Sequence, residues 1–229
     1  AKENGLEPLS EMILTGTKDI RTLVAELEEK FVKPSEGKVK DVQDAINGAC
    51  DILIETFSHQ LELKEKIRQA FWDVGVMKSG LRKDGDKIED AQKYKDFFEF
   101  SEPLSKIKDP KASHRYMAMR RGMNQKVLKV DTEIAPEMGI SMVEDQFFPK
   151  KAALANYDIL KKCAEKSYTN YIQPSLDLEI KNDLKKIADT AAISVFGVNL
   201  KNLLLQPYLG SKAVLGIDPG IRTGCKVVI

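Results

Sequence analysis

The chain has 229 residues, of which 42% are hydrophobic, 31% charged and 7% aromatic. This composition can bury a core, so it excludes disordered and fibrous proteins and allows one large or two small domains. No window approaches the roughly 18 apolar residues of a membrane helix, and the N-terminus lacks the layout of a signal peptide. We therefore predict a soluble, intracellular protein. Cys50, Cys163 and Cys225 are widely spaced and form no CxxC pair, which predicts reduced thiols rather than a disulfide framework or a zinc site.

The formal net charge is +1, but the charges are divided unevenly along the chain. Residues 1–100 carry 16 basic and 21 acidic side chains, whereas residues 101–229 carry 20 and 14. Most of the basic excess lies in residues 105–130, where eight basic side chains accompany a single acidic one, Asp109. Such a stretch either forms a solvated helix face with salt bridges to the acidic first half, or attracts phosphates.

Apolar residues at three- and four-residue steps predict helices through most of the chain. The predicted helices of the first half cover residues 20–31, 39–57, 63–74 and 87–100. The first should stop before Pro34, and the second and third should be antiparallel. The fourth, KIEDAQKYKDFFEF, is strongly charged, and we expect a connecting loop after it at residues 101–113.

Helices also dominate the prediction for the second half. Ser113 has the position of an N-cap that opens a short helix, which Gly122 closes. The alternation in QKVLKVDTEI predicts a short strand near residues 126–133. Residues 150–172 predict a long helix that Pro174 ends, since the residue before a proline avoids helical angles. A second long helix and a short helical segment follow it.

The last 17 residues, AVLGIDPGIRTGCKVVI, change character to two apolar strands around an Asp-Pro-Gly turn. The second strand is cut off at Ile229 and no initiator Met is present, so we expect a piece of a longer protein. Asp218 lies where the first strand meets the turn. A carboxylate there can bind a divalent metal, but metal-assisted hydrolysis needs further carboxylates. The glycines match neither GxxxxGK[ST] nor GxGxxG, so no phosphate loop is predicted.

These patterns together predict a mainly α fold. We expect a multi-helix, bundle-like region with one short β element, followed by a C-terminal β-strand pair. Three regions are expected: an N-terminal helical region at 1–112, a second helical region at 113–212, and the start of a further domain at 213–229. His59 and His114 are the only histidines, and both are expected to be structural or surface residues.

Five segments, in this order along the chain, carry a family resemblance. They are GLEPLSEMIL, FFEFSEPLSKI, SHRYMAMRRGMNQKVLKV, FGVNLKNLLLQP and AVLGIDPGIRTGCKVVI. Their most specific part is the conjunction of SHR-RG-VL-V with LGIDPG-RTGCK. With these segments the chain resembles, over nearly its whole length, the Tex family of bacterial transcription accessory proteins.

The resemblance implies a helical N-terminal region that leads into a YqgF-type domain of RNase H-like α/β fold, which would begin at residues 213–229. In the family this domain retains its first acidic residue, here Asp218, without a full catalytic set. Helix-hairpin-helix modules and an OB-fold RNA-binding domain would follow in the full protein. The resemblance also implies a cytoplasmic protein that binds nucleic acid and has no established enzymatic activity.

Two functional hypotheses follow. The first is a non-enzymatic scaffold without a cofactor, which binds RNA or DNA independently of sequence and has the transcription machinery as a further partner. The side chains that would contact phosphates are Lys106, Lys108, Arg115, Arg120, Arg121, Lys126 and Arg222. The alternative is a metal-dependent nuclease of the RNase H or resolvase class, with Asp218 as the first metal ligand and the other carboxylates beyond Ile229.

Overall fold

The computed structural model describes residues 4–16, 18–32, 39–149, 154–220 and 224–229. As predicted, they form a mainly α structure with small antiparallel sheets. The chain divides into two compact units, Ala1–Ala191 and Ala192–Ile229. The described helices are each too short or too polar to span a lipid bilayer.

Four helices make up most of the first 74 residues. They are α1 (Glu7–Thr15), α2 (Val24–Phe31), α3 (Val42–Ser58) and α4 (Leu61–Val74). The helices predicted at 39–57 and 63–74 are confirmed as α3 and α4. Asp41 caps α3, because its side chain accepts a 2.8 Å hydrogen bond from the backbone N–H of Asp44.

The helix predicted at 20–31 is divided. Ile20–Thr22 form a 3₁₀ turn, and only Val24–Phe31 form an α-helix. The reason is a long-range contact, since the backbone N–H of Ile20 donates to Asn156 Oδ1 at 2.8 Å. Asn156 is fully buried and its Nδ2 donates to the carbonyl of Lys18 at 3.2 Å. This side chain therefore fixes the backbone before α2 in a non-helical path.

A three-stranded antiparallel sheet follows α4. Its strands are β1 (Val76–Leu81), β2 (Glu99–Pro103) and β3 (Leu128–Glu133), in the order β2-β1-β3. The strand predicted near 126–133 is confirmed as β3. In the register of the sheet, Lys78 of β1 lies between Ser101 of β2 and Asp131 of β3.

The helix predicted at 87–100 and the loop predicted at 101–113 are both wrong. Residues Ala91–Phe97 form a 3₁₀ helix, and the chain then enters β2. Asp90 has a positive φ angle of 66°, which breaks a regular helix, and the pairing of β2 with β1 supplies backbone hydrogen bonds instead. After β2 come helix α5 (Leu104–Ile107) and a 3₁₀ turn at Pro110–Ala112.

Helix α6 (Ser113–Asn124) differs from its prediction at both ends. Ser113 is the first helical residue, Ala112 holds the N-cap position, and no side chain caps the helix. Gly122 lies inside the helix and is buried. A Cβ at this position would lie 2.7 Å from Leu128 Cδ1, so no larger residue fits without movement. This glycine therefore serves the packing of α6 on β3, not the end of the helix. Helix α7 (Pro136–Phe147) follows β3.

The helix predicted at 150–172 does not end at Pro174. Residues 150–153 lie outside the described residues, and helix α8 covers Tyr157–Ser167. A π-helical turn at Tyr168–Ile172 joins it to α9 (Gln173–Leu204), which also absorbs the short segment predicted separately. The turn is wide, with the N–H of Gln173 bonded to the carbonyl of Tyr168, and such a turn accommodates a proline ring that a regular helix would reject.

Helix α9 contacts the sheet through one carboxylate. Its buried side chains lie four residues apart, at Leu176, Ile180, Leu184 and Ala188. Beside them, Asp177 Oδ1 accepts hydrogen bonds from the backbone N–H of Thr132 at 2.7 Å and from its hydroxyl at 2.8 Å. Lys181 Nζ donates to the other oxygen of Asp177 at 2.7 Å. Thr132 itself is 1% exposed, so this contact satisfies buried donors of β3.

The second unit contains the predicted C-terminal strand pair. Its strands are β4 (Gly216–Gly220) and β5 (Gly224–Val228), which are antiparallel. The Asp-Pro-Gly sequence lies within β4 and does not form the predicted turn, because Asp218 pairs with Lys226 and Pro219 with Cys225. A proline is tolerated here since a two-stranded sheet has only edge strands.

Candidate nucleic-acid interface

The structure gathers part of the basic stretch around one pocket. Its volume is about 470 Å³, and it lies where the end of β2, helix α5, the 3₁₀ turn and the start of α6 meet. The lining residues are Glu102, Ser105, Lys106, Asp109, Lys111, Ala112 and Arg115. Three cationic side chains therefore surround a surface pocket together with two carboxylates.

The backbone around this pocket is held by buried anchors and a capped turn. Leu104 and Ile107 of α5 are buried, which turns Ser105 and Lys106 outward. Asp109 starts the next turn, since its side chain accepts a 2.9 Å hydrogen bond from the backbone N–H of Lys111. Helix α6 continues directly from this turn, because the backbone N–H of Ser113 donates to the carbonyl of Pro110.

Arg115 is the most constrained of the three cations. Its Nη1 lies 2.8 and 2.9 Å from the two carboxylate oxygens of Glu102 on β2. The side chain of Glu102 is 17% exposed and that of Arg115 is 44% exposed. The pair orients the guanidinium at the pocket and neutralises part of its charge, whereas Lys106 and Lys111 are exposed.

Lys108 is placed apart from the pocket. Its Nζ lies 5.1 Å from the ring centroid of Trp72 on α4, within the range of a cation–π interaction. Trp72 in turn packs against the hydrophobic core, as the helical spacing of α4 predicts. Lys108 therefore belongs to the contact between α4 and the segment after α5.

The remaining predicted residues of α6 and the following turn do not form one surface with the pocket. Arg120 is half-buried beside Tyr116, whose hydroxyl donates to the carbonyl of Lys181 on α9. Burial raises the pKa of Tyr116, and the guanidinium of Arg120 opposes that shift. Arg121 is exposed, and Lys126 is exposed with a positive φ of 63°. Arg120 therefore interacts with Tyr116 of its own helix, and Tyr116 makes the contact with α9.

The C-terminal candidates lie in the second unit. Asp218 lies on β4 opposite Lys226, and Arg222 falls outside the described residues. Within the part of the chain that the structure describes, no three His, Cys, Asp or Glu side chains come together as metal ligands.

Three charged residues of the pocket, Glu102, Asp109 and Lys111, lie outside the predicted set of phosphate contacts. The approach of Glu102 to Arg115 depends on the pairing of β2 with β1, which the sequence pattern did not reveal. For Asp109 a signal existed, since an Asp before a proline is typical of a turn.

Comparison with known proteins places these features in a family. Residues 21–196 match the family model described as Tex central region-like. Protein YdcI of Bacillus subtilis is 35% identical over 229 residues, and the transcriptional accessory protein Tex of Neisseria gonorrhoeae is 30% identical over 237. S1 RNA-binding domain-containing protein 1 of Homo sapiens is 26% identical over 238 residues. Each alignment covers 100% of this chain.

The chain is short compared with these relatives. It spans 31% of the Bacillus protein, 29% of the Neisseria protein and 23% of the human protein. The family model nevertheless matches most of the chain, from α2 to α9. The resemblance seen in the sequence is confirmed, and the chain belongs to the Tex central region-like family.

Proposed function

We propose that this chain is a non-enzymatic scaffold of a transcription accessory protein, which binds RNA or DNA independently of sequence through the pocket between β2, α5 and α6. The observation that carries the proposal is the convergence of Lys106, Lys111 and Arg115 on that pocket. Two relatives support it by name, one as a transcriptional accessory protein and one as an S1 RNA-binding domain-containing protein. The transcription machinery is the further partner in this proposal.

The chemistry of the pocket suits a phosphate backbone better than a base. Lys106 and Lys111 are exposed ammonium groups on flexible side chains, which contact phosphates as point charges. Arg115 is oriented by Glu102, and its planar guanidinium matches the oxygen geometry of a phosphate. None of the pocket residues is aromatic, so the pocket offers no stacking platform for a base.

A salt-dependent binding measurement tests this function. We expect a fluorescence-anisotropy titration of duplex DNA to give a log-log salt slope of about −3, for three phosphate contacts at about 0.9 each. Single-stranded RNA should give a slope of about −2, because each contact releases fewer counterions. Binding to neither nucleic acid at low salt would contradict the proposal.

The full-length protein tests the nuclease alternative, because that hypothesis takes Asp218 as the first metal ligand and places the other carboxylates beyond Ile229. After incubation of the full-length protein with Mg²⁺ or Mn²⁺, structured RNA and DNA should remain intact if it is a scaffold. Cleavage that an Asp218→Asn variant abolishes would favour the nuclease. Both hypotheses include an RNase H-like domain that begins at residues 213–229, so the presence of that fold does not by itself favour the nuclease.

A further inference from the structure

Two cysteines that are far apart in the sequence lie side by side in the first unit. Cys50 is on α3 and Cys163 is on α8, and these helices pack against each other. Both side chains line the same pocket, and the pKa of each thiol responds to the other through a thiol hydrogen bond. Both are free cysteines in this structure.

A pocket gives small molecules access to this pair. Its volume is about 320 Å³, and both cysteines line it. Cys163 is 2% exposed, whereas Cys50 is only half-buried. Three basic side chains also line the pocket, namely Arg21, Lys162 and Lys166. Asp51 is the acidic side chain in its lining. A small polar oxidant that enters the pocket therefore meets Cys50 first.

The environment makes the two thiols unequal. The hydrogen bond from Cys163 lowers the pKa of Cys50, and the positive charge of Lys166 acts in the same direction. Donating that hydrogen bond, together with burial, raises the pKa of Cys163. The thiolate is the reactive form of cysteine. Cys50, the more accessible of the two cysteines, is therefore also the more nucleophilic one at neutral pH.

We infer that Cys50 and Cys163 form a redox-active dithiol site, which a peroxide converts to a disulfide between α3 and α8. The Cys50 sulfur attacks the O–O bond of hydrogen peroxide, which forms a sulfenic acid and releases one water. The Cys163 sulfur then attacks the sulfenic sulfur and loses its proton, the S–O bond breaks, and a second water leaves. Two thiols are oxidised by two electrons and one peroxide is reduced.

The disulfide would change the stability of the first unit. It would join residues 113 positions apart in the chain, so it would restrict the unfolded chain far more than a local cross-link. The packing of α3 against α8 already holds the two helices together, and only a thiol reductant would break the disulfide again. Oxidising conditions would therefore make the packing of α3 and α8 more stable, and reducing conditions would make it less stable.

The test uses the 229-residue chain with Cys225→Ser, which removes the exposed third cysteine. After treatment with hydrogen peroxide, we expect both remaining thiols to disappear from a thiol titration and peptide mapping without reductant to join Cys50 to Cys163. The thermal midpoint should rise by about 5 to 10 °C and return after dithiothreitol. Two titratable thiols after oxidation, or no joined peptide, would overturn the inference.

Two further variants assign the roles of the cysteines. In Cys163→Ser, Cys50 should stop at the sulfenic acid, which dimedone traps, and the thermal midpoint should not rise on oxidation. In Cys50→Ser, Cys163 should remain a thiol because it is buried. Dimedone labelling of Cys163 in place of Cys50 would contradict the assigned order of attack. The peptide map of the Cys225→Ser chain keeps the test decisive if either variant folds poorly.

Discussion

At the scale of single residues, the packing around Tyr168 shows what holds the π-helical turn in place. Tyr168 is the first residue of that turn and is fully buried. Gly139 of α7 faces its ring, because a Cβ at position 139 would lie 2.8 Å from Cδ2 and closer still to Cε2 and Cζ. The missing side chain of Gly139 therefore lets α7 approach the turn closely.

The first prediction concerns this contact. Gly139→Ala should lower the free energy of unfolding by about 2 kcal/mol, since a buried aromatic ring cannot move aside without disturbing the core. Urea denaturation measures the change. Gly197→Ala is the matched control, because that glycine of α9 has no atom within 4 Å of the added Cβ and alanine favours a helix. Equal stability of Gly139→Ala and the wild type would contradict the packing described.

At the scale of elements, Asp177 joins the longest helix to the sheet. Its carboxylate accepts two hydrogen bonds from Thr132 of β3 and one from Lys181, which also lies 3.7 Å from Asp131. Lys129 pairs with the same Asp131 at 3.0 Å, and this contact raises the pKa of Lys129. Lys129 is thus paired within β3, whereas Lys181 links α9 to that strand.

The second prediction tests this junction. Asp177→Ala should destabilise the chain by about 2 to 4 kcal/mol, because two buried donors of Thr132 lose their acceptor. Asp189→Ala on the same helix is the control, since Asp189 pairs only with Lys185 at 2.6 Å and both side chains are more than 40% exposed. We expect it to cost at most about 1 kcal/mol. Similar losses in the two variants, measured by urea denaturation, would show that α9 does not depend on Asp177.

The sequence predicts helices well where their apolar stripes are long. Ile46, Leu53 and Phe57 of α3 keep the helical spacing, and all three are buried. The same method fails at residues 87–103, because the strand β2 depends on pairing with β1 and not on its own periodicity. It also fails at Pro174, where the preceding π-helical turn removes the steric conflict that the prediction assumed.

At the scale of the whole molecule, the basic stretch divides among several tasks. Lys108 packs on Trp72, Arg120 interacts with Tyr116, and Lys129 pairs with Asp131. Three members of the stretch line the pocket, namely Lys106, Lys111 and Arg115. Composition and charge predict that a basic surface exists, but the distribution of its members depends on the packing of α6 against β2, β3 and α9, which no local pattern encodes.

The pairing of Cys50 with Cys163 shows the same limit of sequence information. Their spacing predicts unrelated structural thiols, yet the packing of α3 on α8 places them in one pocket. Glu102 and Arg115 likewise come into contact because β2, which carries Glu102, pairs with β1. Contacts between distant segments thus decide which of the reactive and charged residues act together.

The central claim is that the pocket between β2, α5 and α6 binds nucleic-acid phosphates. The most direct measurement compares the salt dependence of duplex DNA binding for Lys106→Glu/Lys111→Glu and for Lys30→Glu/Lys186→Glu. The second variant makes the same charge change at exposed lysines of α2 and α9, away from the pocket.

We expect the pocket variant to bind duplex DNA at least about tenfold more weakly at low salt, with its log-log salt slope reduced from about −3 to about −1. The control variant should keep the slope of the wild type and lose affinity only through its net charge. Circular dichroism should show unchanged helix content in both variants. Equal slopes and affinities for the two variants would contradict the claim that the pocket is the binding site.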